Sequence, residues 1–312
     1  MKYSALYIFC LSILLAACSS ETETYTDEET SYQAISAMGD TLYKPAMDDS
    51  LQQVFERNLE TAREDYEKDS NNADAIIWYG RRTAYLGDYN KAIEIYSEGI
   101  EKHPEDARFY RHRGHRYITT RQFDKAVKDF KKAVSLIEGT DDQVEPDGLP
   151  NEQNEPRSTL HTNIWYHLGL AQYLRGNFEE AVSSYQNCIN ASTNDDMTVA
   201  ATYWLYMSMR RAGMDIPAGD VLEKITGQMN IIENESYHKL LMVFKGDFEE
   251  RSLLDDSKTP LNNATIGYGL GNWHYINGRE DRAQDLFQKV YNAEGWNAFG
   301  YIAAESDLER LF

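Results

Sequence analysis

His112 and His115 stand one helical turn apart, a spacing at which two imidazoles can grip a metal ion. No acidic or sulfur ligand accompanies them in the same stretch, so they read as surface or groove histidines and no metal is expected. Arg108, Arg111 and His115 are spaced by three and four, which puts them on one side of a helix, and an arginine can hold a carboxylate in a two-pronged fork. Gly267-Tyr268-Gly269-Leu270-Gly271 is rich in glycine, but a dinucleotide site needs a preceding strand and a βαβ unit; here the glycines fit close helix packing better. Between residues 214 and 262, Asp220, Glu223, His238 and Asp247 are scattered rather than paired. The sequence has no HExxH, GxSxG, P-loop or Cys-x-x-Cys, so no catalytic residue and no cofactor is expected.

The elements around these residues repeat. Gly176, Phe178, Ala181 and Tyr185 match Gly87, Tyr89, Ala92 and Tyr96 in order and spacing, and both Gly80 to Gly114 and Ala92 to Ala126 span 34 residues. Units begin near Ala73, Ala107, Thr162, Val199, Ile232 and Ala264, the fourth and fifth the most diverged. Gly169 and Ala181 are small where two antiparallel helices must approach closely. Gly176 suits the left-handed turn that ends a helix. Cys188, three residues past Tyr185, falls on the buried stripe and is expected to pack as a small apolar group.

This pattern resembles the tetratricopeptide repeat, over most of residues 73–312. The resemblance implies an all-α solenoid of about six helix-turn-helix repeats with N- and C-terminal capping helices, and first helices that line a concave groove. Arg81, Tyr85, Arg108, Arg111, His115, Tyr166 and Tyr173 are then the candidate partner-binding residues. The family's lysine and asparagine carboxylate clamp is missing, since Ile77 and Arg81 stand at its offsets in the first repeat. Residues 49–72 read as the N-terminal cap, 73–138 as two repeats, and 159–312 as four more followed by a capping helix around Trp296, Phe299, Ile302 and Leu308.

Two charge features stand out against a formal net charge of −20, which itself argues against nucleic-acid binding. Residues 107–132 carry nine cations against two acids, whereas residues 139–157 contain Asp141, Asp142, Glu145, Asp147, Glu152 and Glu155 among three prolines and form no helix. The basic stretch could capture an acidic peptide, or the acidic insertion (139–158) could fold back over it, or both could be solvated.

At the N-terminus, Met1-Lys2 precedes 13 uncharged residues, too few to span a bilayer comfortably and typical of a cleaved leader over 1–17. Leu15-Ala16-Ala17-Cys18 resembles the lipobox of bacterial lipoproteins, which implies acylation of Cys18 and a flexible acidic tether over 18–48. With Trp204-Leu205-Tyr206 and Leu270-Gly271, the chain also resembles the NlpI-type outer-membrane lipoproteins. That resemblance implies a membrane-anchored adaptor in the bacterial envelope, at the outer membrane on its periplasmic face or at the cell surface, that recruits peptidoglycan enzymes through protein or peptide contacts, often as a homodimer. The alternative expectation is an assembly or secretion accessory lipoprotein, pilotin-like or part of outer-membrane insertion; a hydrolase hidden in 214–262 is the third.

Overall fold

Polar caps and left-handed residues cut the chain into short helices. The computed structural model describes residues 32–254 and 260–312. Asp48 accepts a hydrogen bond from Ser50 N at 2.9 Å and opens α1 (Asp49–Lys68). Asn72 opens α2 (Ala73–Tyr85) through Ala75 N at 3.1 Å. There follow α3 (Tyr89–Lys102), α4 (Ala107–Thr119), α5 (Phe123–Ile137), α6 (Leu160–Leu174), α7 (Phe178–Ala191), α8 (Asp195–Arg211) and α9 (Asp215–Leu222). The last five are α10 (Glu235–Lys245), α11 (Arg251–Leu254), α12 (Pro260–Ile276), α13 (Glu280–Tyr291) and α14 (Phe299–Leu311).

From α2 to α13 these form six successive helix pairs in the phase of the sequence repeat, stacked into an α-solenoid; five are packed hairpins, and in the fifth pair α11 is a single turn after α10. Inside five of them the chain turns on Gly87, Gly176, Gly213, Gly246 or Gly278, with φ between +73° and +92°. The hairpin of α4 and α5 turns on Arg121 instead, at φ +61°, a conformation that disfavours a side chain by roughly 1–2 kcal/mol. The small residues sit where expected: a Cβ on Gly169 would lie 2.8 Å from Tyr185 Cζ, and Ala181 has no exposed surface. In the glycine run, Gly269 faces Leu240 and the Tyr203 hydroxyl, and Gly271 faces the Phe287 ring, so these glycines let helices pack closely. Among the described residues no helix is long and apolar enough to cross a membrane.

Two findings depart from the expected plan. The stretch assigned to the tether is structured from residue 32: β1 (Tyr32–Ile35) pairs antiparallel with β2 (Thr41–Tyr43). Ala34 and Leu42 are buried beneath this hairpin, Ser36 Oγ lies 3.0 Å from Tyr291 Oη, and Trp296 Nε1 donates to Tyr43 O at 2.9 Å. Backbone pairing and the burial of Ala34 and Leu42 outweigh the acidity of the flanking sequence. The leader and Cys18 lie outside the described residues.

The second departure is α14. It packs on α12 and α13, as a cap would, and it also reaches α6 on the face of the first helices. Gly300 through Leu308 are buried almost without interruption, including Glu305 and Asp307. Each of these acids has an arginine. Arg121 binds Glu305 through Nη2 at 2.6 Å and Nε at 3.1 Å, and Arg211 binds Asp307 at 2.9 and 3.1 Å. Such pairs survive burial only because both partners are also hydrogen-bonded elsewhere: Ala37 N donates to Glu305 and Tyr268 Oη to Asp307.

Candidate functional site

The seven residues assigned to a partner groove separate into three groups. Tyr166 and Tyr173 belong to the core, which corrects their assignment as rings open to a peptide. Tyr173 is 1% exposed and its hydroxyl meets that of Tyr268 at 2.6 Å. Tyr166 accepts from Trp204 Nε1 at 2.8 Å and shows only an edge to a cavity of about 310 Å³ bordered by Asn163, His167, Glu233, Tyr237 and Phe299. The cause is tertiary: α8, α10, α12 and α14 wrap over the face that an open array would leave bare.

His115 is the second group. Its ring lies 4.5 Å from His167 and 5.3 Å from Phe299 at the start of α14, so the chain's own C-terminal helix occupies the position a ligand would take there. Burial holds His115 and His167 neutral, His167 at about 3, with Nδ1 of His167 on Asn163 O at 2.7 Å. His112 is buried as well, stacked on Tyr96 at 5.5 Å, and is not a surface histidine. Among the described residues no cluster of three or more His, Cys, Asp or Glu is placed to hold a metal ion. Cys188 is fully buried, its Sγ donates to Thr162 O at 3.4 Å, and burial raises its thiol to about 12.

Arg81, Tyr85, Arg108 and Arg111 form the third group, on α2 and α4, and they do share a surface. Arg81 and Arg82 both stack on Trp78, at 4.3 and 4.9 Å from the ring centre. Arg108 is spent locally: it grips Asp106 at 2.6 Å and Asp74 at 2.6 Å, because Asp106 caps the same helix. Arg111, 8% exposed, reaches Glu145 Oε1 at 2.9 Å and donates to His112 Nδ1 at 3.0 Å. The imidazole proton is therefore on Nε2, which faces the same carboxylate at 3.8 Å. Burial and the adjacent arginines keep His112 uncharged well below its usual range.

Glu145 comes from the acidic insertion. The insertion folds back on α2 and α4: Glu145 also accepts from Asn163 Nδ2 at 3.0 Å, and Arg82 Nη1 donates to Gly148 O at 2.9 Å. Gly148 is pressed against Tyr85, and a Cβ there would overlap the Tyr85 hydroxyl. Between the turn and the two helices remains a cleft of about 240 Å³ lined by Trp78, Arg81, Arg108, His112, Glu145 and Pro146. Of the three possibilities open for the basic stretch, internal pairing with the insertion is the arrangement found for Arg111, and Arg82 on α2 adds a second hold on the same segment.

Two important residues were missed. Arg121 stands where every other hairpin has glycine, so the break in the repeat pointed to it. Asp196, with no exposed surface, accepts from the backbone amides of Ile232, Glu233 and Asn234 and from Arg157, and so fixes the loop before α10. No local pattern marks it.

The site and its scaffold thus define an array of helical hairpins whose first helices present arginine and aromatic side chains to an extended segment. Residues 79–142 and 162–195 match family models described as tetratricopeptide repeat, and the chain carries that repeat there. Small glutamine-rich tetratricopeptide repeat-containing protein 2 of Saccharomyces cerevisiae is 25% identical over 127 residues, covering 41% of this chain and 31% of that protein. The match thus spans about a third of the relative's length. Among solved structures, a tetratricopeptide repeat protein from Parabacteroides merdae is 15% identical with a TM-score of 0.46, covering 81% of this chain and 91% of that one. YrrB, described as a TPR protein with an unusual peptide-binding site, is 14% identical with a TM-score of 0.44, covering 75% and 92%.

Proposed function

We propose that the protein is a lipid-anchored interaction scaffold that holds partner proteins at a membrane of the bacterial envelope. Tetratricopeptide repeats mediate contacts between proteins, and one observation carries the reading for this chain: the first two repeats already hold a polar segment of the insertion, residues 145–148, by an ion pair from Arg111 and a hydrogen bond from the Arg82 side chain to a backbone carbonyl. Anchoring is supported by Cys18 following Leu15-Ala16-Ala17. Several buried acyl methylenes, at about 0.8 kcal/mol each, would hold the chain durably on the bilayer. The likeness to NlpI-type lipoproteins supports the outer membrane as the site, peptidoglycan enzymes as partners and a homodimer as the assembly.

Two measurements test this. Cells fed an alkyne fatty acid should label the wild-type chain and not Cys18→Ala; label on neither removes the anchor. Crosslinking in cells followed by purification should enrich cell-wall enzymes, and an eluate without them removes the adaptor.

A further inference from the structure

The turn at residues 145–148 is held differently from the rest of the fold. No residue of 139–158 belongs to the buried apolar core, and Val144 and Leu149 on either side are 62% and 59% exposed. Charge and hydrogen bonds hold it, and the fit is incomplete. Nε of Arg111 is buried without a hydrogen-bond partner, and so is Oδ2 of Asp147, whose carboxyl is shifted upward by burial although Arg81 is close by. Arg111 thus offers one more donor than Glu145 uses, while Arg81 makes its contacts with the Trp78 ring and, at 3.3 Å, with the Tyr85 hydroxyl.

We propose that this turn is a built-in stand-in for a partner, and that the strip formed by Arg81, Arg82 and Arg111 docks an extended acidic protein segment carrying two carboxylates two residues apart. The inference rests on the scaffold reading and names the partner's chemistry. The spacing follows from Glu145, which pairs with Arg111, and Asp147, whose carboxyl feels the charge of Arg81. A carboxylate approaching Arg111 in the plane of its guanidinium would engage Nε and Nη2 together, which Glu145 does not. Because the turn belongs to the same chain as its site, joined to it through α5, it competes at a high local concentration and keeps the strip closed until a better-fitting segment arrives. The small volume of the remaining cleft and the chain's strongly acidic total charge favour a protein segment over a polyanion such as nucleic acid.

The probe is a fluorescent synthetic peptide with the sequence of residues 141–151, titrated by anisotropy against the full chain in detergent. Gly148→Val drives the turn off Tyr85 and leaves every arginine in place; Glu145→Gln, which alters no backbone, is the second opening variant in case the first is poorly folded by circular dichroism. Both should bind the peptide at least tenfold more tightly than wild type. Binding should weaken with salt and be lost when Arg111→Ala is added. A peptide with glutamine and asparagine for its two central acids should bind at least tenfold more weakly. Equal binding by wild-type and opened chains, no binding by either opened chain, or equal displacement by a single-stranded oligonucleotide would each overturn the proposal. Since the crosslinking experiment does not depend on the turn, enriched partners beside a failed titration would remove this docking site alone.

Discussion

Arg121→Gly sets local preference against tertiary contact with opposite signs. Arg121 sits at φ +61° at the turn where the other hairpins place glycine, so on backbone grounds the substitution should stabilise by roughly 1–2 kcal/mol. Against this stands what the side chain holds. It makes a two-pronged pair with Glu305 at 2.6 and 3.1 Å, donates to Trp296 O at 2.9 Å and to Thr119 O at 2.6 Å, and lies 5.2 Å from the Trp296 ring centre. The two side chains of the pair are 6% and 0% exposed, so removing the cation strands a carboxylate in the interior at a cost of about 3–5 kcal/mol. The net expectation is a loss of about 1–4 kcal/mol. In urea, with a slope of about 3 kcal/mol/M for a chain of this size, the midpoint should fall by about 0.3–1.3 M. Adding Glu305→Gln should recover part of the loss, because the stranded charge is gone. A rise in midpoint for Arg121→Gly alone would show that the turn dominates and that α14 is not latched by this pair.

Three more expectations can be checked on the same purified chain. His112, His115 and His167 are held neutral by burial, below the unfolded value near 6.5, so the unfolded chain binds more protons. Stability should therefore decline as pH drops from 6.5 to 5, by up to about 1.4 kcal/mol per pH unit for each histidine, and His167→Leu should flatten that slope in urea melts; an unchanged slope would contradict the burial. Cys188 should resist a thiol reagent in the folded protein and react fully in denaturant, since its thiol is enclosed and raised to about 12; prompt native labelling would place it elsewhere. Gly169→Ala should cost about 1–3 kcal/mol in chemical unfolding, because its methyl would meet the Tyr185 ring at 2.8 Å, and a neutral result would argue against that helix contact.

Much of the scaffold was legible because its requirements are local. Left-handed turns select Gly87 and Gly176, close helix approach selects Gly169 and Ala181, and both recur at a fixed interval. The groove was harder to read. An open stack leaves its first helices bare, and that assumption placed Tyr166 and Tyr173 in solvent; their burial depends on Trp204, Tyr237 and Tyr268, which come from much later in the chain. Arg108 looked available until Asp106 and Asp74 were seen to claim it, and Asp106 was visible two residues away. The strands at 32–35 and 41–43 are too short for alternation to declare itself. The insertion announced its charge but not its target, because opposite charge alone does not choose between pairing and solvation.

The hairpin of β1 and β2 also changes how the protein would carry a load. A stack of helical pairs joined only to their neighbours behaves as a spring and lengthens when its end is pulled. Here a tension entering at Tyr32 passes at once into the far end of the chain, through Ser36 to Tyr291, Ala37 to Glu305 and Tyr43 to Trp296. The hairpin short-circuits the spring, so a pull on the N-terminal side is borne by these cross-braces before any repeat is asked to uncoil.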